Sequence, residues 1–498
     1  MTKQPNVLIL HADQQRYDSL GCDGNPHART LNLDRLAAEG TVFTRHISAN
    51  TICMPSRASL LTGLYPPGHN VWTNGVALNR TEYMNVVSEG HEHRVLLQPP
   101  TAADVFAGAG YDTASFGKLH LTPNLAPASL GYPETWACWQ DGRFDDWHGP
   151  YYGFQHVETT QGHGEHPCRL GHYALWLKEN HPEIVQAMEE NARDAKRPIP
   201  SLRDLYPSAV PAKLHNTRWL ADRFSAYLDR RTGDRPFFAF VGFPDPHHPF
   251  TPSYDVVRDF EDAEVLEPFD PTGEAATGTP LDVAATDVSG LSPEEHRIVR
   301  RYTQAMVYQI DDAVGRIVDS LKRAGEWGST IVVFTSDHGD FLCDHGRLRK
   351  TVDASNNLLH LPFVMRVPGS GLPARVDTPM SSVDVLSTLV ASAGVAGPEW
   401  VHGTDIARVV REGEDHVALA YCSGGWPDSV NVTVYDDDYR YTVYPHTGYE
   451  ALYNHQADPG ELVNLVTVEP DRAAAMRRTV ESQLLLHRNP ISARVCAW

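Results

Sequence analysis

Three short, almost unbroken apolar runs each stop in a cluster of acidic, amide and imidazole side chains: NVLILHADQ from Asn6, PFFAFVGFPDPHHPF from Pro236 and STIVVFTSDHGD from Ser329. A strand that lacks polar alternation is buried on both faces, as in the interior of a parallel sheet covered by helices. Such sheets collect their ligands at the C-terminal ends of the strands. The pattern predicts an α/β fold with a large, mostly parallel central sheet flanked by helices. It places Asp13, Gln14, His247, Asp337 and His338 along one sheet edge. Helical stretches between the strands, such as HRIVRRYTQAMVYQIDDAVGRIVDSLKRAG with Gly325 as its stop, agree with this fold.

A chain of 498 residues with 41% hydrophobic content can bury a large core. The α/β pattern predicts a domain over 1–410, interrupted by an insertion at about 121–214 rich in His, Trp, Tyr and Gly. Alternating patterns in VALAYC, SVNVTVYDDDYRYTVYP and YEALYNHQADPGELVNL predict a smaller antiparallel sheet over 411–498, closed by a helix near Arg472 to Leu486. The final LLLHRNPISARVCAW is expected to dock on its own core or on a neighbouring copy, so a homo-oligomer, dimer or tetramer, is expected. The insertion's His148, His156, His163, His166 and His172 match no compact ligand spacing and read as pocket wall or subunit contact. Its Trp136, Trp139, Trp147 and Tyr151 are candidates for an aryl pocket.

The net charge of -21 argues against nucleic acid and anionic membrane as partners. An anionic substrate must therefore meet a locally positive pocket. Seven cysteines without C-x-x-C spacing argue against a disulfide scaffold. The first apolar run is too short for a signal peptide and no stretch reaches membrane-spanning length, so a cytoplasmic location is expected.

CMPSR, Cys53 to Arg57, puts a thiol, a helix-starting proline, a hydroxyl and a guanidinium within one turn, and RASLLTG carries the helix on to a stop at Gly63. Cys53 would sit at a helix N-terminus, where free amides favour anions and lower a thiol's pKa. A lone cysteine is more often a small buried hydrophobe. Here C-x-P-S-R followed by A-S-L-L-T-G resembles the signature of the formylglycine-dependent sulfatases, of alkaline phosphatase-like fold, and further motifs follow in the same order. The segment GYDTASFGKLHL carries G-K-x-H, read as a short strand presenting Lys118 and His120 on one side. P-H-x-P falls at His247, and Lys350 ends DHGRLRK, with Arg347 and Arg349 as competitors. The tail's L-Y-x-x-x-x-D-P-x-E-x-x-N-L stretch is similar to the family's C-terminal domain.

The resemblance implies that a maturation enzyme oxidises Cys53 to formylglycine. It implies one divalent cation on Asp13, Gln14, Asp337, His338 and residue 53. Oxygen donors favour Ca²⁺, and the imidazole leaves Mn²⁺ or Mg²⁺ open. Asp-Gln with Asp-His looks like choline sulfatases and phosphonate monoester hydrolases, in which an asparagine matching Asn74 lines the pocket. Keeping Lys118 and His120, which phosphonate hydrolases replace with hydroxyl residues, favours sulfate esters. By resemblance, one hydroxyl of hydrated formylglycine attacks sulfur, Lys118 and Lys350 neutralise the sulfate, and His247 with Lys350 protonates the leaving oxygen. His120 then deprotonates the second hydroxyl so that sulfate leaves, and Arg57 supports the metal ligands. The expected activity is hydrolysis of a small anionic ester, an aryl or small alkyl sulfate. The alternatives are a phosphonate monoester or phosphodiester hydrolase, or a metal-stabilised binding protein whose Cys53 stays a thiol.

Overall fold

The computed structural model describes residues 4–79, 83–88, 91–96, 99–165, 169–274, 286–398 and 401–487. His166, Cys168 and the last segment from 488 onward, with its expected docking, lie outside the described residues. The central sheet has eight strands. In spatial order these are Arg375–Val376, Thr41–Phe43, Phe363–Arg366, Thr330–Ser336, Asn6–Ala12, Phe237–Gly242, Asp112–Gly117 and His156–Glu158. Only Phe363–Arg366 runs against the others. The sheet is thus mixed but mostly parallel.

The three apolar runs are its adjacent central strands. Side chains alternate between the two faces, and both faces are covered. Val7, Ile9, Phe238, Phe240, Ile331 and Val333 join Met54 and Ala58 of the helix Cys53–Thr62 and Leu386 of the helix Asp384–Ala393. Leu8, Leu10, Ala239, Val241, Val332 and Phe334 join Leu220 and Phe224 of the helix Asn216–Arg230 and Val307, Ile310 and Val314 of the helix Pro293–Arg323. Each Val, Leu, Ile, Phe or Met among them, fully buried, contributes about 1.5–3 kcal/mol of transfer free energy. The long helix begins in a capping box between Ser292 and Glu295 with Pro293 in its first turn, and Gly325 lies just past its end at φ 72°.

Register aligns the strand tips. Ala12 pairs with Ser336 and His11 with Gly242, so Asp13 and Asp337 leave the sheet side by side. Beside them the backbones of two strands close up on each other. A Cβ on Gly242 would lie 2.0 Å from the Lys118 carbonyl oxygen, and one on Gly117, at φ 86°, would lie 2.1 Å from the Gly242 carbonyl oxygen. Only glycine fits at either position.

The smaller sheet is antiparallel, in the order Ala418–Cys422, Asn431–Tyr435, Tyr439–Tyr444 and Tyr449–Asn454. The helix Pro470–Leu486 covers it through Ala473, Met476 and Val480. Ala49, Tyr65 and Val383 of the larger body complete that core. The insertion is more than an appendage, because His156–Glu158 is an edge strand of the main sheet. Among the described residues no helix is long and apolar enough to cross a membrane, and Cys22, Cys53, Cys138, Cys343 and Cys422 are free thiols.

Candidate active site

Cys53 opens its helix as the sequence predicts, and Gly63 closes it in the left-handed region at φ 67°, donating its N–H to the Ser59 carbonyl at 2.9 Å. No side chain of the residue preceding the helix caps it. Asn74 takes that place, its Oδ1 accepting the Met54 N–H at 3.1 Å. The thiol is buried at this N-terminus.

Arg57 organises the floor of the site. Its Nη2 donates to Asp13 Oδ2 at 3.0 Å and its Nε to Asp337 Oδ2 at 2.8 Å, while Nη1 holds the Lys118 carbonyl at 3.0 Å. All three groups are buried, so the pairing is unscreened. With both Oδ2 atoms occupied, the two Oδ1 atoms point elsewhere. They lie 3.7 and 3.6 Å from His338 Nε2, and Cys53 Sγ is 3.2 Å from that nitrogen and 4.0 Å from Asp13 Oδ1. His338 donates Nδ1–H to the Gly339 carbonyl at 2.9 Å, which leaves the Nε2 lone pair turned toward this group.

These four donors fit one small cation, since their mutual spacing matches ligands about 2.0–2.6 Å from a common centre. Gln14 adds to the fit. It sits at φ 64° with its Nε2 donating to Asp340 and its Oε1 buried without a partner. A second set of donors, Asp13, Cys53, His163 and His247, is equally compact. There the Lys118 ammonium already bridges Asp13 and His163, so the first set is the better metal centre.

Positive charge surrounds the thiol. Lys350 Nζ uses its three N–H bonds on Cys53 Sγ at 2.8 Å, His338 Nε2 at 2.8 Å and His247 Nε2 at 2.9 Å. Burial opposes ionisation of Cys53, yet Lys350 and Lys118 hold it well below its ordinary pKa. Burial also opposes the charge of Asp13, which Lys118 and Arg57 nonetheless keep well below the usual carboxylate range. Burial lowers His247 and His120, with neighbouring Lys350 and Lys118 adding to it respectively. His247 donates Nδ1–H to the His248 carbonyl, leaving Nε2 toward Lys350.

Every site residue expected from the sequence is in or beside this cluster, and the competing side chains face other partners. Arg349 pairs with Asp204 and Arg347 with Asp353, whereas Lys350 reaches Cys53 Sγ. His248 faces the Gln14 amide at 3.1 Å, and His247 faces Lys350.

Three expectations need correction. The strand ends at Gly117, so Lys118 and His120 do not share a strand face. They follow it, with His120 in the left-handed region at φ 58°, because the carbonyl of Lys118 is drawn to Arg57 and the next amides turn toward Glu134. His163 is not merely wall or subunit contact. It touches Lys118, lies 3.7 Å from Asp13 and stacks on His247. Of the four aromatic candidates only Trp136 lines the cavity that His120 and His163 border. Trp139 packs against His172, while Trp147 and Tyr151 pack on each other.

That cavity, about 610 Å³, runs outward from Asn74, His120 and His163 to Leu125, Tyr132 and Trp136. Glu134 was missed by sequence reasoning, and His163, read as pocket wall, lines the cavity but also touches Lys118 and His247. Neither has a motif, since the folding back of a long insertion brings them in.

A buried thiol ringed by lysines, imidazoles and a carboxylate pair suits the handling of anionic esters. Comparison with known proteins gives the family. The model of the family described as Sulfatase matches residues 5–395, and the chain belongs to that family of sulfuric ester hydrolases. It is 26% identical over 489 residues to the arylsulfatase of Clostridium perfringens, covering 94% of this chain and 91% of that protein. It is 28% identical over 525 residues to the multifunctional alkaline phosphatase superfamily protein PehA of Trinickia caryophylli, covering 97% and 95%. In fold it is similar to the crystal structure of the phosphonate monoester hydrolase of Agrobacterium radiobacter, with a TM-score of 0.74 at 24% identity over 97% of this chain and 96% of that one. Sulfatases generally use a divalent metal and a formylglycine.

Proposed function

We propose that this chain hydrolyses aryl or small alkyl sulfate monoesters, with residue 53 as formylglycine. The observation that carries the reading is the crowding of Lys118, Lys350, His120, His163, His247 and His338 around one buried sulfur. Sγ marks where the hydroxyl oxygens of a hydrated formylglycine would sit. The oxidised residue supplies a nucleophilic hydroxyl and a second one on the same carbon, and a divalent cation on Asp13, Gln14, Asp337 and His338 supplies charge against the sulfate oxygens.

The chain's own groups do the rest. Lys118 and Lys350 bind the persistent negative charge of the ester. With His338 Nε2 engaged by a cation, Lys350 has an N–H to spare for a sulfate oxygen. His247 Nε2, hydrogen-bonded to Lys350, relays a proton to the leaving oxygen. His120, hydrogen-bonded to residue 53, removes the proton from the second hydroxyl. Loss of that proton is what would let sulfate depart from an oxidised residue 53.

The cavity beside Asn74 and His120, with Leu125, Tyr132 and Trp136 on its walls, supports an aromatic alcohol. Asn74, Gln14 and His338 also suit a phosphonate monoester, whereas Lys118 and His120 favour sulfate. The test is the mass of the tryptic peptide His46 to Arg57, followed by kcat/KM for phenyl sulfate and a phenylphosphonate ester. The expected result is an aldehyde or its hydrate at residue 53 and preference for sulfate. An unmodified thiol after competent maturation overturns the mechanism, and a preference for the phosphonate ester overturns the substrate.

A further inference from the structure

We infer that Glu134, a residue of the insertion, is the positioning residue that aims His120 at residue 53 and so governs sulfate release. This rests on the sulfatase reading above.

Glu134 is 4% exposed, and no Lys or Arg pairs with it among the described residues. Instead its two oxygens gather consecutive backbone amides. Oε1 accepts the N–H of His120, and Oε2 accepts those of Leu121 at 2.7 Å and Thr122 at 3.0 Å. The Tyr151 hydroxyl donates to Oε2 at 3.0 Å and the Thr122 hydroxyl at 3.3 Å. Successive amides converging on one anion form a nest, and here the anion belongs to the chain itself.

The turn so held is the one that carries His120. A non-glycine residue in the left-handed region costs about 1 kcal/mol, and the backbone needs a reason to stay there. Charge-assisted hydrogen bonds to three amides supply one. Apart from the contact with residue 53 that is to be aimed, the side chain has one further polar atom that could anchor it. His120 Nδ1 is buried without a hydrogen-bond partner, unlike His338 and His247, whose Nδ1 atoms are tied to carbonyls. The ring's aim therefore follows from the backbone at 120, and the backbone follows from Glu134. Glu134 touches no reacting atom.

The step it governs is one of two. Phenol leaves in the first, which uses Lys350 and His247. Sulfate leaves in the second, when His120 takes the hydroxyl proton. Misplacing His120 slows only the second, so substrate is cleaved once and sulfate stays on the protein.

The experiment compares the mature wild type with Glu134→Ala and Glu134→Gln. With phenyl sulfate, Glu134→Ala is expected to release about one equivalent of phenol at nearly the wild-type rate. Steady turnover then falls about 10- to 100-fold, the range lost when a general base is disabled. The peptide His46 to Arg57 from the quenched variant carries the added mass of SO₃. Glu134→Gln, which keeps an acceptor oxygen, recovers part of the turnover. Independently of activity, hydrogen exchange at the amides of His120, Leu121 and Thr122 accelerates in Glu134→Ala relative to wild type. Equal slowing of phenol and sulfate release, or unchanged exchange at these amides, overturns the proposal. Failure of the sulfatase reading itself looks different, because then the wild type releases no phenol.

Discussion

The imidazole of His163 lies nearly parallel to that of His247, with ring centroids 3.6 Å apart and planes 14° from parallel. One ring comes from the insertion and the other from a central strand end, so the insertion fixes a group assigned to leaving-group protonation. Burial and Lys118 push His163 down to about 4, which keeps it neutral and stackable beside the lysines. His163→Ala is expected to lower kcat/KM by about 10- to 100-fold, the range for a poorly positioned acid. The loss should be greater for an alkyl sulfate, whose oxygen needs its proton, than for nitrophenyl sulfate, whose oxygen does not. Equal losses on both esters would count against the stacking role.

Arg57 holds one oxygen of each carboxylate and turns the other toward His338. Arg57→Ala leaves two buried carboxylates without their shared partner, for which about 3–5 kcal/mol of stability is expected to be lost. Added divalent metal should restore part of it, since a cation replaces the missing charge. Arg57→Lys keeps the charge but cannot reach both carboxylates and the Lys118 carbonyl, so metal affinity should fall about 10- to 100-fold. Denaturant unfolding and metal titration check both expectations.

Lys118 touches Asp13 and also His163, which lines the cavity. Lys118→Thr exchanges the ammonium for a neutral hydroxyl. Its removal is expected to cost about 10²–10³ in kcat for sulfate esters, as for other lost transition-state donors. The loss on phenylphosphonate esters should be smaller, so the ratio of the two kcat/KM values reports its role in selectivity.

Asp245 is fully buried, neither of its carboxylate oxygens has a hydrogen-bond partner, and burial raises it to about 8. Its nearest basic group, His215 at 3.7 Å, is lowered to about 3 by burial and stays neutral. A carboxyl raised in the folded state binds its proton more tightly there than in the unfolded chain. Its proton is therefore neutral to stability at low pH and an increasing burden from about pH 4 to about pH 8. Asp245→Asn removes that dependence. The variant should gain stability over wild type as pH rises from 5 to 8, by as much as about 1.4 kcal/mol per unit. A difference in melting temperature that stays flat across this range would show that Asp245 is not held protonated.

Much of this site was legible because its strands are short and its ligands sit at their ends. Asp13, Gln14, Asp337 and His338 follow directly from runs with no polar alternation, and Cys53 and Arg57 from one helix turn. His247 and Lys350 needed only a choice among neighbours. Residues outside that rule were misread for identifiable reasons. Lys118 and His120 obey a period of two in the sequence, but the strand stops at Gly117 and a buried carboxylate bends the chain after it. His163 and Glu134 lie 110 and 81 residues beyond Cys53 in a segment with few regular elements, and no spacing records a contact made by the closure of such a loop. Trp139, Trp147 and Tyr151 have the composition of a pocket, but Trp139 packs on His172 within the insertion while Trp147 and Tyr151 pack against the core of the central sheet.

The contact of Gly117 with Gly242 sets a limit on how this scaffold can diversify. The Lys118 carbonyl that Arg57 grips lies so close to Gly242 that a methyl group there would drive the two strands apart. The displacement would pass through Arg57 to both carboxylates at once. Walls built by the insertion can be exchanged to suit a different alcohol, since they rest on side-chain packing. The seam between these two strands has no such latitude, and descendants with new substrates must inherit it unchanged.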